Sequence, residues 1–356
     1  MSKITFVCPS YNHEKYVLDF LNSLLAQTSP DWELLIFDDC SSDKTVELIK
    51  SVKDPRIHLI ENTYNKGMAY AVSKGIETAK SEFAVFIASD DIFYPEYVET
   101  VLNVFEKNPD IVACYTPLQY MNEQGKILDG ILALPSEKSQ EEIFADMFIN
   151  ENLLPSPAMV FKKSAFKPYL PLDVGMIQYT DWQMHFFLML QGKIKLLEKP
   201  LVKYRLSDGS ACARSANVLL REEIETNKLM DTVVNLIGQD KKAFLRYFGE
   251  YPLIKENEIE PATIPFWLGR LALTSNIAAK RKWGLQTIMN FIGIEGNLEL
   301  LHRLYGFSYK DYMGYASVVN EKMPDIKKYK RRIKKMKKII IGLIVLCLIL
   351  GGCLWL

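Results

Sequence analysis

The sequence predicts an α/β fold in which a doubly wound, mostly parallel sheet is followed by a helical region and a C-terminal transmembrane helix. Three observations predict this fold class. Short apolar runs alternate with amphipathic stretches over the first 120 residues, pairs of acidic residues follow two of these runs, and the last 18 residues are uncharged. Alternating strands and helices build parallel sheets, and such sheets bind ligands beyond the carboxyl ends of their strands.

Five short apolar runs with branched or aromatic residues predict the strands of this sheet. They cover residues 4–8, 33–37, 57–61, 83–88 and 111–115. The stretches between these runs place apolar residues at helical spacing. The predicted helices cover residues 14–27, 44–52, 67–80 and 95–107.

The pattern is less regular in the second half of the chain. It predicts a strand over residues 158–162, a helix over 182–191 and an extended segment over 194–205. Residues 215–325 are expected to be mainly helical, and they contain no motif that points to a chemical activity.

The composition limits the possible protein classes. With 356 residues, 49% hydrophobic and 24% charged, the chain has the length of roughly two domains and is neither disordered nor collagen-like. Basic and acidic residues balance at 43 each, but nine of the basic ones lie within 327–338, so residues 1–326 carry a net charge of −9. This charge argues against nucleic-acid binding. Six cysteines without a C-x-x-C pair indicate free thiols in a reducing compartment.

The C-terminal segment predicts a membrane anchor. Residues 339–356 form an uncharged run just long enough to cross a bilayer as a helix, and the basic cluster 327–338 directly precedes it. Positive residues beside a membrane span favour the cytoplasmic side. We therefore expect a single-pass anchor that holds the chain at the cytoplasmic face of the inner membrane. The alternative is a hydrophobic helix buried in the protein or in an oligomer.

Two pairs of acidic residues mark the predicted binding edge of the sheet. Asp38 and Asp39 close the second predicted strand, and Asp90 and Asp91 close the fourth. Because four carboxylates at one edge repel one another, they require a cation or hydrogen-bond donors among them. A divalent cation, Mn²⁺ or Mg²⁺, held by one or two carboxylates and by diphosphate oxygens would satisfy them. The alternative is that these acids are turn and N-cap residues.

Several motifs together resemble the family 2 glycosyltransferases, which have the GT-A fold. The resemblance extends over about residues 3–210, and the combined spacing of the motifs is far more specific than any one of them. The motifs are Pro9-Ser10-Tyr11-Asn12, Ser23-Leu24-Leu25-Ala26-Gln27-Thr28, Asp38-Asp39-Cys40-Ser41-Ser42-Asp43, Asn65-Lys66-Gly67, Lys74-Gly75 and Ser89-Asp90-Asp91.

The resemblance implies a nucleotide-sugar site with a divalent metal. Asp91, together with Asp90, is the implied metal ligand. Ala88 stands where the family has the first acid of its D-x-D-D pattern, and Ser207 stands where it usually has a histidine. We expect Arg205 or Arg214 to supply positive charge to the diphosphate instead. The implied nucleotide-binding residues are Pro9, Tyr11, Asn12, Asp38, Asp39, Asn65, Lys66, Gly67 and Asp90.

Asp181 matches the position at which the family carries its catalytic base. In an inverting transfer, one carboxylate takes the proton of the acceptor hydroxyl while that oxygen attacks the anomeric carbon. The alternative is structural, because Thr180 and Gln183 are spaced as a capping box and Asp181 would favour a helix N-terminus. His185 is expected to be an ordinary packed or exposed helix histidine.

The resemblance therefore predicts a metal-dependent, inverting glycosyltransferase. It would move a sugar from a nucleoside diphosphate donor, with UDP preferred, to a hydroxyl of a glycan or lipid-linked acceptor in bacterial surface polysaccharide or glycolipid biosynthesis. Two other classes stay open: a nucleotidyltransferase, although residues 8–11 lack the expected glycine-rich loop, and a non-catalytic membrane-bound nucleotide-sugar binder. The expected parts are a glycosyltransferase domain (1–212), a mainly helical region (213–326), a basic juxtamembrane segment (327–338) and an anchor (339–356).

Overall fold

The computed structural model describes residues 2–207 and 216–321. The chain divides into two compact units, residues 1–264 and residues 265–356. The described part of the first unit contains two β-sheets with their helices, and the described part of the second is helical.

Eleven strands lie within the described residues. They are β1 (Ile4–Ser10), β2 (Trp32–Asp38), β3 (Ile57–Glu61), β4 (Phe83–Phe86), β5 (Ile92–Phe93), β6 (Ile111–Tyr115), β7 (Leu118–Met121), β8 (Ile127–Leu132), β9 (Met159–Lys162), β10 (Lys193–Leu196) and β11 (Val202–Arg205). The five strands predicted in the first 120 residues are all present.

The same ranges contain thirteen α-helices. They are α1 (Val17–Leu25), α2 (Thr45–Ser51), α3 (Met68–Thr78), α4 (Tyr97–Lys107), α5 (Gln140–Ile149), α6 (Lys163–Phe166), α7 (Thr180–Gln191), α8 (Ala216–Ile237), α9 (Lys241–Phe248), α10 (Ile264–Leu273), α11 (Ala278–Ile292), α12 (Asn297–Tyr305) and α13 (Tyr309–Glu321). The predicted helical character after residue 215 is confirmed for the described residues 216–321.

The larger sheet has seven strands in the order β10-β6-β9-β4-β1-β2-β3. β1 pairs in parallel with β2 and β4, β2 with β3, and β6 with β10. β9 runs antiparallel between β4 and β6. The predicted α/β sheet is therefore confirmed as mostly parallel, with one reversed strand that the sequence pattern did not indicate.

A smaller sheet, in the order β5-β11-β7-β8, lies outside the prediction. The extended segment predicted over 194–205 is confirmed at its two ends but is interrupted between them: β10 joins the larger sheet and β11 the smaller one. Pro200, between them, has no N–H to donate to a ladder. The Thr116 hydroxyl bridges this break, donating to the Lys199 carbonyl at 3.0 Å and accepting from the Leu201 N–H at 2.9 Å.

Successive side chains of β1 point to opposite faces of the larger sheet, as in any β-strand. Phe6 packs on one face against the rings of Trp32, Phe93 and Tyr97, at centroid distances of 6.3, 5.0 and 6.0 Å. Val7 faces the other side, where α3 crosses the sheet. Because both faces are covered, the central strands are continuous apolar runs.

Two glycines allow close helix packing in the second unit. A Cβ on Gly284 of α11 would lie 2.5 Å from the carbonyl oxygen of Gly269 on α10. Nearby, the ring of Phe266 on α10 is parallel to that of Tyr305 on α12, with centroids 6.3 Å apart. Such close contacts, together with the buried apolar residues of α10, give the described part of the second unit a core of its own.

No helix within residues 2–207 and 216–321 is long and apolar enough to cross a membrane. The predicted basic segment 327–338 and the predicted anchor 339–356 lie outside the described residues.

Gly75 is the point at which α3 touches β1 most closely. A Cβ at this position would lie 2.2 Å from Cγ1 of Val7. We expect Gly75→Ala to lower the free energy of unfolding by about 1–3 kcal/mol, because the added methyl group over-packs the contact. Urea denaturation followed by circular dichroism measures the change.

Gly314→Ala is the matched control, because a Cβ at Gly314 in α13 meets no atom within 4 Å. Alanine favours a helix interior over glycine, so this variant should be at least as stable as the wild type. Adding Val7→Ala to Gly75→Ala should recover part of the lost stability. Equal stability of the two single variants would contradict the packing argument.

Candidate active site

A cleft of about 650 Å³ lies at the carboxyl ends of β1 and β4. Loops that are far apart in the sequence form its walls, because the strand order brings their ends to one edge of the sheet. Its lining includes Tyr11, Asn12, His13, Asp90, Asp91, Ser156 and Ser207.

The loops after β1 and β2 are joined by hydrogen bonds between side chains and backbone. Asn12 Oδ1 accepts from the Ser42 N–H at 2.9 Å, and the Asn12 N–H donates to Ser41 Oγ at 2.9 Å. Asn12 and Cys40 have φ angles of 53° and 67°, in the left-handed region that few non-glycine residues adopt. This joined pair of loops holds Tyr11, which is 48% exposed, at the cleft.

The buried carboxylates of Asp38 and Asp39 bind the protein's own loops. Asp38 accepts hydrogen bonds from the N–H and the hydroxyl of Ser41, at 2.9 and 2.5 Å. Asp39 accepts from the N–H groups of Lys66 and Gly67, at 2.7 and 2.8 Å. Both acids therefore hold turns, as the structural alternative proposed, and their contacts with a nucleotide stay predictions.

The other predicted nucleotide-binding residues lie on β1 and on the loop that Asp39 holds. Pro9 is partly buried in β1. Asn65 is exposed and Lys66 is partly buried. Gly67 precedes α3 with a φ of 80°, a conformation that glycine adopts without steric cost. Asp39 therefore determines the conformation of the segment that carries three of the predicted residues.

Asp90 and Asp91 follow β4 and line the cleft. Asp90 is half-buried, whereas Asp91 is 1% exposed. Burial and the neighbouring Asp90 carboxylate raise the pKa of Asp91 well above its usual range, although a hydrogen bond from the Arg205 N–H opposes this shift. The pair is therefore unfavourable as two anions unless positive charge enters the cleft.

These two carboxylates fit a divalent cation that shares its ligands with a substrate. Carboxylate oxygens suit Mg²⁺ and Mn²⁺, and a nearby cation would stabilise the ionised pair. Within residues 2–207 and 216–321, no group of three or more His, Cys, Asp or Glu side chains could hold a metal. A cation bound here would have one or two protein carboxylates and would need oxygens from substrate or water.

Arg205 is buried, and its guanidinium binds the protein itself. Nε donates to the Asp90 carbonyl at 2.8 Å, and Nη1 donates to the Glu123 carbonyl at 2.6 Å. Nη2 forms an ion pair with Asp19 at 3.3 Å. This geometry does not favour the predicted contact of Arg205 with a diphosphate, because the donors already have protein partners. Arg214, the other cation predicted for that contact, lies outside the described residues.

Sequence reasoning missed a chain of hydrogen bonds beside Asp90. His13 Nδ1 lies 2.7 Å from Ser89 Oγ, and the Ser89 hydroxyl donates to Ser10 Oγ at 2.8 Å. His13 and Ser207 both line the cleft. The signal for His13 was its position just beyond the carboxyl end of β1, where ligands bind such sheets.

Asp181 lies in the first turn of α7, beside the cleft. Its Oδ1 accepts from the Trp182 N–H at 2.7 Å, and the hydroxyl of Ser156, which lines the cleft, donates to the same carboxylate. Burial raises the pKa of Asp181 above its ordinary value, which these hydrogen bonds offset only in part. A carboxylate with a raised pKa is suited to accept a proton.

The capping box considered for this segment is wrong. Thr180 Oγ1 donates to the Met176 carbonyl at 2.7 Å, and Gln183 Nε2 donates to Thr232 Oγ1 at 2.9 Å. Neither side chain is therefore available to cap α7. The N-cap residue is Tyr179, whose side chain makes no capping hydrogen bond within the described part of the chain.

His185 is packed in the core, in line with the expectation of an ordinary helix histidine. The residue is fully buried, and Nδ1 lies 3.0 Å from the hydroxyl oxygen of Tyr115. Burial lowers the pKa of His185 to about 3. The ring is therefore neutral near pH 7 and acts as a packing residue.

Comparisons with known proteins agree with this geometry. Residues 5–170 match the model of the family described as glycosyl transferase family 2. An uncharacterized glycosyltransferase of Haemophilus influenzae is 30% identical over 209 residues, which are 58% of this chain and 66% of that protein. The UDP-Glc:alpha-D-GlcNAc-diphosphoundecaprenol beta-1,3-glucosyltransferase WfgD of Escherichia coli is 26% identical over 221 residues, 62% of this chain and 83% of that protein.

A solved structure shows the same fold. S. aureus TarS 1-349, in complex with UDP, is similar with a TM-score of 0.53 and 17% identity, over 89% of this chain and 90% of that one. The family match covers β1 to β9, which include the strands whose ends form the cleft. The chain belongs to glycosyltransferase family 2 and has the GT-A fold.

Proposed function

We propose that this chain transfers a sugar from a nucleoside diphosphate donor to an acceptor hydroxyl, with inversion at the anomeric carbon. One observation carries the proposal. The cleft that contains Asp90 and Asp91 also contains Ser156, and Ser156 donates a hydrogen bond to Asp181. The same cleft is therefore bordered by Asp90 and Asp91, which suit a cation, and by Asp181, which is suited to accept a proton.

The proposed donor is a UDP-sugar, and the proposed acceptor is a glycan or a lipid-linked hydroxyl. Two comparisons support this choice: the name of the E. coli relative WfgD gives UDP-Glc as its donor and alpha-D-GlcNAc-diphosphoundecaprenol as its acceptor, and S. aureus TarS was solved with UDP. The reaction would belong to bacterial surface polysaccharide or glycolipid biosynthesis. We further propose that the predicted segments 327–338 and 339–356 hold the chain at the cytoplasmic face of the membrane.

Asp181 is the proposed general base. Its carboxylate takes the proton of the acceptor hydroxyl as that oxygen forms a bond to the anomeric carbon, and the bond from this carbon to the donor diphosphate breaks. Asp91 and Asp90 would hold Mn²⁺ or Mg²⁺, which as a Lewis acid neutralises the charge of the leaving diphosphate. The Ser156 hydroxyl and the Trp182 N–H orient the base.

Nucleotide release tests the donor and the metal together. We expect UDP release from one UDP-sugar in a panel of UDP-, GDP-, CMP- and dTDP-sugars, only with Mn²⁺ or Mg²⁺ present. Asp91→Asn should lower the rate by about a hundredfold, because the pair loses the charge that binds the cation. Asp110→Asn, an exposed change before β6 at the opposite edge of the sheet, is the control. Undiminished release after chelation would contradict metal dependence.

Replacing the proposed base gives a second test. We expect Asp181→Asn to reduce kcat by about 10²–10⁴-fold while leaving the Kd for UDP within about twofold, because the base acts on the acceptor and not on the nucleotide. Isothermal titration with UDP and a steady-state assay separate the two effects. Full activity of Asp181→Asn would exclude this residue as the base.

The pH profile gives a third test of Asp181. The base must be ionised, and burial raises its pKa. The rate should therefore rise as the pH increases through a midpoint above the pKa of an exposed aspartate. A rate that is constant down to pH 4 would contradict the assignment, provided that circular dichroism shows the protein to be folded there.

Arg205→Lys distinguishes a structural clamp from a diphosphate ligand. If Arg205 holds the structure together, Arg205→Lys should lower the free energy of unfolding by about 1–3 kcal/mol, because the carbonyl groups of Asp90 and Glu123 lose their donors. Arg246→Lys, in an exposed ion pair with Glu141, should change stability little. A tenfold weaker UDP affinity at unchanged stability would instead support the diphosphate contact.

A further inference from the structure

The carboxylate of Glu225 is buried against the loop that leads into α7. Glu225 lies on α8 and is 4% exposed. Its Oε2 accepts hydrogen bonds from three consecutive backbone N–H groups: Ile177 at 3.0 Å, Gln178 at 2.8 Å and Tyr179 at 3.0 Å. A buried carboxylate is costly unless such donors satisfy it, so this contact holds the loop and the helix together.

This contact lies directly before the first turn of α7, at the N-cap residue Tyr179 and the two residues that precede it. The first turn of a helix presents unpaired N–H groups and a partial positive charge, both of which favour a nearby carboxylate. The Tyr179 side chain does not cap α7 within the described residues, and Glu225 approaches from a different helix. Gln183 ties the same helix to α8 through Thr232. The first turn of α7 is therefore anchored from α8.

Asp181 lies two residues after the anchored segment. Its carboxylate is the one that Ser156 joins to the cleft. A shift of the loop at 177–179 would move Asp181 relative to Ser156, and displacements of about 1 Å can cost two orders of magnitude in rate. α8 lies beyond the segment that matches the family model, which ends at residue 170.

We propose that Glu225 is a positioning residue for the reaction, holding residues 177–179 so that Asp181 stays at the edge of the cleft. This inference rests on the proposed function of Asp181 as the base. It gives a role to α8, a helix that carries no chemical motif of its own.

The charge of Glu225 gives the proposal a readout that a purely structural residue would lack. The ionisable groups that face Asp181 are Tyr115, Tyr179 and Glu225. The charge of Glu222 raises the pKa of Tyr179. Glu225 raises the pKa of Asp181 by electrostatic repulsion, in addition to the larger effect of burial. Its neutralisation should therefore move the acid limb of the rate to lower pH.

Kinetics on the full chain test this role, with the UDP-sugar that the wild type cleaves and with Mn²⁺. Glu225→Gln should reduce kcat by about tenfold or more, change the donor KM by less than about twofold, and shift the acid limb of kcat to lower pH. Glu225→Asp keeps the charge, so its acid limb should stay at the wild-type pH while kcat falls. Glu223→Gln makes the same charge change on the exposed side of α8 and is the matched control.

Hydrogen exchange tests the contact without requiring activity. In Glu225→Gln, the amides of residues 177–179 should exchange about tenfold faster than in the wild type, and those of Glu223→Gln should not change. The inference is overturned if exchange at 177–179 is unchanged, or if Glu225→Gln and Glu223→Gln have equal kcat. A wild type that releases no nucleotide would overturn the proposed function, while exchange would still decide whether Glu225 holds the loop.

Discussion

The cleft depends on accommodating the neighbouring carboxylates of Asp90 and Asp91 at the end of β4. Two adjacent carboxylates, one of them buried, are unfavourable unless donors or cations offset their charge. Arg205 offsets part of this cost, because its backbone N–H donates to the Asp91 carboxylate at 2.9 Å and its guanidinium, which donates to the Asp90 backbone carbonyl, places a positive charge nearby. Arg205 ends β11, which pairs with β5 and β7. The smaller sheet is thus the scaffold that brings this cation to the end of β4.

The same principle organises the other side of the cleft. Asp39 accepts hydrogen bonds from the segment before α3, and Asn12 joins the loops after β1 and β2. In each case, a side chain at one strand end satisfies the backbone of a neighbouring loop. Loops tied in this way keep their geometry without a ligand, which reduces the ordering that binding must impose. The cleft is therefore largely formed by the protein alone.

Local patterns predicted most of the fold and part of the site. The strands β1, β3 and β6 and the helix α7 follow from apolar periodicity, which needs no knowledge of distant contacts. The reversal of β9 and the division of 194–205 between two sheets depend on pairings with remote strands, which periodicity does not encode. Arg205 shows why the site was predicted only in part. In the sequence, a cation near acidic residues suggests a contact with phosphate. Only the structure shows that its side chain is buried and bound to Asp19 and to the Glu123 carbonyl. The contact of Glu225 with residues 177–179 could not be predicted, because the sequence of α8 contains no motif that points to it.

The hydrogen-bond donors around each carboxylate give the acidic residues of this protein different roles. Asp39 and Glu225 each accept hydrogen bonds from consecutive backbone N–H groups, so they hold loops. Asp91 has a backbone donor but also faces Asp90, which leaves the pair in need of positive charge. Asp181 is half-buried and has only partial compensation, so its pKa is raised while a side-chain hydroxyl links it to the cleft. Carboxylates thus hold loops in two places, and the proposed cation site and the proposed base differ from these anchors in how completely each carboxylate is hydrogen-bonded.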